Sequence, residues 1–277
     1  MTVLGQGRLP QDCLQQANEH LAEDGMAIIT LSRWTFSGAR ELGQKISENL
    51  GYRFVSRDDI ISKTAGYGMS GERMERARRR RFGFLQRFDL EWSHYLIYAR
   101  AALTKEIRQG SLVYLGSNGQ ALLRDFPNVL NVGVVADMEY RIDNLIKRTE
   151  YVVDRKKARK LIQEIDEKKA RWRRTLHDDR LQDPGDFDLV IEPGQTSQAD
   201  ACDLIHAALE QPKYQTTYKS LEAIDLLTVA AELRARIAMK DDVIDDDVNV
   251  EIQDGVIVIG GSVRSVEDLE GIKELLD

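Results

Sequence analysis

The chain has little of what builds metal centres or disulfides. Its 277 residues hold two cysteines, Cys13 and Cys202, far apart and outside any CxxC spacing. That excludes a cysteine-rich metal site and leaves no expected disulfide. The four histidines, His20, His94, His177 and His206, are scattered and form no ligand pattern. Aromatic residues make up only 7%, and those present do not cluster into a stacking platform. No apolar run approaches the roughly 20 residues that cross a bilayer. Met1 to Pro10 has no basic stretch followed by an apolar one, so no secretory leader is expected and the expected compartment is the cytoplasm.

What is present is charge, 31% of the chain, unevenly divided. Residues 220–277 carry 15 acids against 5 bases, a net of −10 within a chain whose total is −7. The remaining 219 residues are therefore mildly basic, at +3. Such a split suggests two units with different partners, and the length suits one large domain plus a small one. A basic front suits anionic ligands. An acidic end is repelled by nucleic acid and anionic membranes and favours a protein partner.

Hydrophobic patterning gives an alternating order. A short helix is expected over Gln11 to Glu23. Met26 to Ser32, Arg53 to Ser56, Ser111 to Gly116, Val129 to Val135 and Phe187 to Ile191 are short, nearly continuous apolar runs, as in strands buried on both faces. Helical patterns fall at Ala39 to Leu50, closed by Gly51, and at Asp58 to Tyr67, Glu72 to Ile107, Asp137 to Arg148, Asp154 to Leu176 and Ser197 to Leu209. Strands alternating with helices imply a parallel sheet covered on both faces. Residues 211–219, polar and carrying a proline, read as a linker. A helix over Leu221 to Met239, a hairpin turning at Asp254-Gly255 and a helix over Ser265 to Leu276 give an αββα end unit.

The first strand-to-helix turn is the place to look for phosphate chemistry. There the amides of a glycine-rich loop and a helix N-terminus can cradle an anion. The usual pattern is GxxxxGK followed by Ser or Thr. The turn here runs Arg33 to Glu41, RWTFSGARE, and keeps only Gly38 in place. By pattern alone it is an ordinary turn containing a glycine.

A wider comparison is more informative. AIITLSRWTFSGARELGQKISENLGYRFVSRDDII, Ala27 to Ile61, resembles the opening of the cytidylate kinase-like family, which reads ITISR, a glycine-rich turn, GGRE and LGxxFYDRELI. LVYLGSNGQALLRDFPNVLNVGVVADMEYRIDNLIKR, DEKKARWRR and DPGDFDLVIEP are similar to three further family segments, in the same order. The resemblance covers about Met26 to Leu209. It implies a P-loop kinase-type α/β domain over 25–210, behind an N-terminal extension over 1–24, and ATP-dependent phosphorylation of CMP or dCMP with Mg2+.

By that resemblance, Arg33, Ser37, Gly38, Ala39, Arg40 and Glu41 would form the donor cradle, with Arg40 in place of the usual lysine. Arg57, Asp58, Ser117, Asn118, Arg141 and Arg173 would meet the acceptor nucleotide. Arg40, Arg148, Lys169 and Arg171 would stabilise the moving phosphoryl group, the last two from a lid helix. Several phosphate-facing positions depart from the family. Phe36 and Ala39 replace glycines, so that Phe36 is expected to crowd the phosphates. Ser56 replaces an aspartate, and Ser117-Asn118 replaces Arg-Gly. These departures open the alternative of a nucleotide-kinase-like sensor or scaffold without turnover.

Residues 220–277 resemble a BON domain in the alternating strand VNVEI, the hairpin DGVIVIGGSV and the flanking helices, and end before the closing strand such modules usually have. The resemblance implies attachment to a partner. The arginine run Arg73, Arg76, Arg78, Arg79, Arg80 and Arg81 is interleaved with glutamates. It reads as a solvated helix face, and nucleic-acid binding is not expected.

Overall fold

The computed structural model describes residues 25–68, 90–116, 119–148, 154–175, 187–240, 248–263 and 265–275. The helix expected at Gln11 to Glu23, the arginine run from Arg73 to Arg81 and the pair Ser117-Asn118 lie outside the described residues, as do the side chains of Arg171 and Arg173.

Five strands form one parallel sheet: β1 (Ile28–Arg33), β2 (Arg53–Ser56), β3 (Leu112–Leu115), β4 (Val129–Val134) and β5 (Leu189–Ile191), in the order β2-β3-β1-β4-β5. Central β1 is buried from Ile28 to Leu31, and β3 throughout, as their unbroken apolar runs require. The helices are α1 (Ala39–Leu50), α2 (Arg57–Lys63), α3 (Leu90–Ile107), α4 (Gly119–Leu122), α5 (Met138–Arg148), α6 (Arg155–Thr175) and α7 (Gln198–Leu209).

Two apolar clusters cover the two faces of the sheet. One gathers Ile28, Leu103, Ile107, Leu112 and Tyr114, and the other Ile29, Leu42, Ile46, Leu130 and Ile205. The chain leaves β1 toward one edge of the sheet and later crosses to the other side of β1. The carboxyl end of β1 is therefore the point where an open α/β sheet holds its ligand.

Local chemistry fixes the element ends. Gly51 closes α1 in the left-handed region, at φ 69°. Ser56 caps α2 in a reciprocal box: its amide donates to Asp59 Oδ2 at 2.8 Å, and its hydroxyl accepts from the Asp59 amide at 3.3 Å. Capping thus occupies a serine at the position where the family carries aspartate.

Residues 211–217 are not the loose linker that their composition suggests. Tyr214 is buried at 5% exposure against the sheet cluster. The Thr216 hydroxyl accepts from the Met26 amide and donates to the Met26 carbonyl, both at 2.7 Å. Asn128 Nδ2 donates to the Gln215 carbonyl at 2.7 Å. Polar residues here satisfy backbone groups at the start of β1 rather than facing water.

The end unit comprises α8 (Tyr218–Ala238), β6 (Val248–Gln253), β7 (Val256–Gly261) and α9 (Val266–Lys273). Asp254 and Gly255, at φ 50° and 76°, make the tight turn between antiparallel β6 and β7. Helix α8 serves two cores. Leu221, Ile224, Ala231 and Ala235 join the cluster around α3, while Ala230, Leu233 and Ile237 hold the hairpin and α9. Its acids are spent on α3 and the turn after α2: Asp225 pairs with Arg108 at 2.8 Å, and Glu232 with Lys105 at 2.8 Å and the Tyr67 hydroxyl at 2.6 Å. The expected boundary at residue 220 therefore falls inside a continuous packing unit. Among the described residues, no helix is long and apolar enough to cross a membrane.

A shared helix predicts shared unfolding. Ala235 is fully buried on the α3 side of α8. An unpaired carboxylate at Ala235→Asp costs about 3 kcal/mol or more, a drop in Tm of roughly 6–12 °C for a unit of this size. Calorimetry should show one transition moving as a whole. Two separate transitions, with the hairpin unit melting alone, would count against a common core.

Candidate functional site

The loop from Trp34 to Gly38 leaves β1 at the switch point and feeds α1. Helix α5 fastens it. Arg141, 3% exposed, donates from Nε to the Thr35 carbonyl at 2.7 Å, and Asn144 Nδ2 donates to the Phe36 carbonyl at 3.1 Å. The Trp34 amide donates to the Val134 carbonyl at 3.1 Å, and the Trp34 ring lies 5.6 Å from the Arg141 guanidinium. In a trans peptide the C=O and the next N–H point opposite ways, so tying the Thr35 carbonyl to α5 turns the Phe36 amide to the other side. Gly38, at φ 83°, starts α1, and among the described residues no side chain caps that helix. A Cβ on Gly38 would stand 3.2 Å from the Tyr140 hydroxyl and force an unfavourable φ, so glycine is required twice over.

Two hydroxyls beneath this loop are buried without partners among the described residues: Thr35 Oγ1 and Ser37 Oγ. Ser37 is 1% exposed. Leaving a buried hydroxyl unmade costs about 1–3 kcal/mol, so an arrangement of two is suited to a ligand that brings hydrogen-bonding oxygens.

Cations converge on the same place. Arg33, at the end of β1, titrates below its usual range because it is buried and because Arg57, Arg148 and Arg40 lie around it, Asp58 opposing. Lys169 reaches in from α6. Burial, with Arg33, Arg141 and Arg57 nearby, lowers its pKa to about 8 against the pull of Asp166. Such crowding of like charge is unfavourable in the empty protein and is relieved by a polyanion.

Beside the loop runs a groove of about 390 Å³ whose lining includes Gly38, Tyr140, Asn144, Arg148, Pro193 and Ser197. It joins the start of α1 to the turn after β5, adjoining the anion site and large enough for a flat ring system.

The structure sorts the expected residues. Arg33, Arg57 and Lys169 come together, and Ser37 and Ala39 are buried at the start of α1. Arg40 is exposed, with its guanidinium 5.8 Å from the Phe54 ring, and still lies near enough to Arg33 to lower its pKa. Glu41 and Arg148 form an ion pair with each other at the groove's rim. Arg141 is buried and already bonded within the protein. It pins Thr35 and pairs with Asp166 of α6. Asp58 is exposed and 3.4 Å from Arg57, and Asp59 is committed to capping α2.

Phe36 does not crowd the loop. It adopts φ 60°, strain of order 1–3 kcal/mol for a residue with a Cβ, and its ring packs against Ile142 and Leu145 of α5 and Ala158 and Ile162 of α6. Asn144 was not expected at all. Its signal was its place three residues after Arg141, on the same helix face.

The sheet order and the loop at the switch point define a P-loop kinase-type α/β fold. The profile of the cytidylate kinase-like family matches residues 28–195, and the chain belongs to that family. A crystal structure of an uncharacterized protein from Eubacterium ventriosum ATCC 27560 superposes with a TM-score of 0.52 at 16% identity, covering 67% of this chain and 99% of that one. Shikimate kinase from Acinetobacter baumannii in complex with shikimate is more distant, with a TM-score of 0.41, 16% identity and coverage of 69% and 96%. A gluconokinase from Sinorhizobium meliloti 1021 gives 0.42, 17%, and coverage of 66% and 93%. No curated protein matches the chain.

Lys169 gives a signed prediction. Its folded pKa, about 8, lies below the ordinary lysine value of 10.5, so below pH 8 its charge is a burden carried by the folded state alone. Stability should rise with pH between these values. Lys169→Met should therefore stabilise the ligand-free protein at pH 7 by on the order of 1 kcal/mol, the advantage fading by pH 10.5. Urea denaturation at both pH values measures it. A Met variant no more stable at pH 7 would contradict the crowding.

Proposed function

We propose that the chain is a nucleoside monophosphate kinase-like protein that binds ATP with Mg2+ and passes its terminal phosphoryl group to CMP or dCMP. The observation that carries the reading is the gathering of Arg33, Arg57 and Lys169 in a chain whose first strand-to-helix loop also holds the unpartnered buried hydroxyls of Thr35 and Ser37. These groups fit a polyphosphate: buried donors, gathered cations, and a groove beside the loop for the base. In this reading Mg2+ would arrive on the nucleotide's phosphates.

In this reading the Phe36 and Gly38 amides and the Ser37 hydroxyl hold the donor phosphates, the Trp34 and Ser37 amides being already bonded within the fold, and the start of α1 adds its positive end. An oxygen of the acceptor phosphate attacks the terminal phosphorus of ATP. The bond to the bridging oxygen breaks and ADP departs with that electron pair. Arg33 and Lys169 balance charge on the oxygens in flight, and Arg57 steadies the acceptor.

A second reading, nucleotide binding without turnover, is favoured by Ala39 in the turn and by Arg40, exposed and near the Phe54 ring. The acidic, BON-like unit over 220–277 would then pass the bound state to a protein partner.

Thermal shift followed by a coupled assay tests both. ATP with Mg2+ at one hundred times Kd should stabilise by about 2.7 kcal/mol. Arg33→Ala and Lys169→Met should each weaken binding at least about tenfold, the 1.4 kcal/mol of one lost charge-assisted contact, whereas Arg40→Ala should have a far smaller effect. ADP formation dependent on CMP supports the kinase. A shift without turnover selects the second reading, and no shift with any nucleotide removes both.

A further inference from the structure

The Phe36 side chain leaves the loop for the cluster between α5 and α6. Its ring packs against a small apolar cluster made by Ile142 and Leu145 of α5 with Ala158 and Ile162 of α6, all four buried. Its carbonyl is held by Asn144. One residue earlier, the Thr35 carbonyl is held by Arg141, whose guanidinium also pairs with Asp166 of α6. Loop and lid helix are thus joined twice, by an apolar plug and by a polar bridge. The same helix carries Lys169 three residues beyond Asp166, so whatever fixes α6 also fixes how deeply Lys169 sits among Arg33, Arg57 and Arg141. The left-handed φ at Phe36 is the conformation that glycine adopts most freely, yet a large aromatic holds it. Backbone freedom alone does not account for that choice; the ring's anchorage does.

We propose that Phe36 is a positioning residue that couples the phosphate loop to the lid, holding α6 and its Lys169 over the site before any ligand arrives. The proposal rests on reading this cleft as an anion site, but its test uses no nucleotide, so the two can fail separately. The groups facing Lys169 are Arg33 of β1, Arg57 of α2, Arg141 of α5 and Asp166 of its own helix.

The measurement is the titration of the Lys169 side chain in the full chain, by NMR of 13Cε-labelled lysine with Lys169→Arg used for assignment. In the unaltered protein the midpoint should fall near 8. In Phe36→Gly, which keeps the backbone conformation and removes the plug, the midpoint should move upward toward the ordinary lysine value as α6 lifts and Lys169 gains water. Phe36→Leu, which restores an apolar plug, should return it toward 8. Ile162→Ala attacks the same cluster from the lid side and should shift the midpoint in the same direction as Phe36→Gly, which keeps the test available if one variant fails to fold. A ring that merely fills space would lower Tm and leave the titration alone. A midpoint unchanged in Phe36→Gly, or in Ile162→Ala where only that variant folds, overturns the coupling, as does a Phe36→Leu midpoint as high as that of the glycine variant.

Discussion

Arg141 brings a full positive charge to a position that is 3% exposed, and much of the site is arranged around satisfying it. A buried guanidinium is tolerated only with partners for its donors. Thr35 offers a carbonyl, Asp166 a carboxylate and Trp34 the face of its ring. Two partners lie on the loop and the third on α6, so satisfying one side chain of α5 fixes the loop, α6 and α5 relative to one another. The shape of the anion site is in this sense a by-product of solvating one arginine with protein. It also explains why the loop keeps its form with a single glycine left at Gly38. Side chains from α5 impose a conformation that glycines elsewhere permit.

The remaining cations are deliberately under-satisfied. Arg33 and Lys169 sit near one another, with Asp58 opposing at the first and Asp166 at the second, and Asp166 is already shared with Arg141. A purely structural cluster would neutralise itself, as Glu106 does between Arg53 and Lys63 on the far side of the sheet edge. The contrast between these two clusters in one chain, one closed and one open, is the physical ground for reading the second as a ligand site.

The scaffold was largely legible in the sequence, because strands buried on both faces announce themselves as unbroken apolar runs and because Gly51 and Asp254-Gly255 can end elements in only a few ways. The site was legible in its location and less so in its wiring. Arg40 and Lys169 both read as phosphate-facing cations; Lys169 is the more buried of the two, while Arg40 is exposed and also meets the Phe54 ring. The direction of Arg40 depends on how α1 rolls on the sheet, and that roll is set by Gly43, whose missing side chain lets Leu31 and Phe54 pack close. Phe36 read as an obstruction because its destination, the α5–α6 cluster, is built from residues more than a hundred positions away. Residues 211–217 read as a linker for a related reason: Thr216 and Gln215 are polar, and their partners at Met26 and Asn128 are visible only once the chain has folded back.

Helix α8 bears on how the acidic end unit can act. A module meant to swing freely on a tether needs a polar, unpacked connection. Here the connection is buried at Tyr214, and α8 then lies along α3 with Asp225 and Glu232 neutralised by Arg108 and Lys105. Those pairs remove part of the unit's acidity from its outer surface and turn it toward the basic domain. Glu232 also holds the hydroxyl of Tyr67, at the end of the helical segment that begins with Arg57. Through Glu232 and Tyr67, the packing of α8 therefore reaches the segment that carries Arg57, so the acidic unit is built into the domain that holds the cleft and not hung from it.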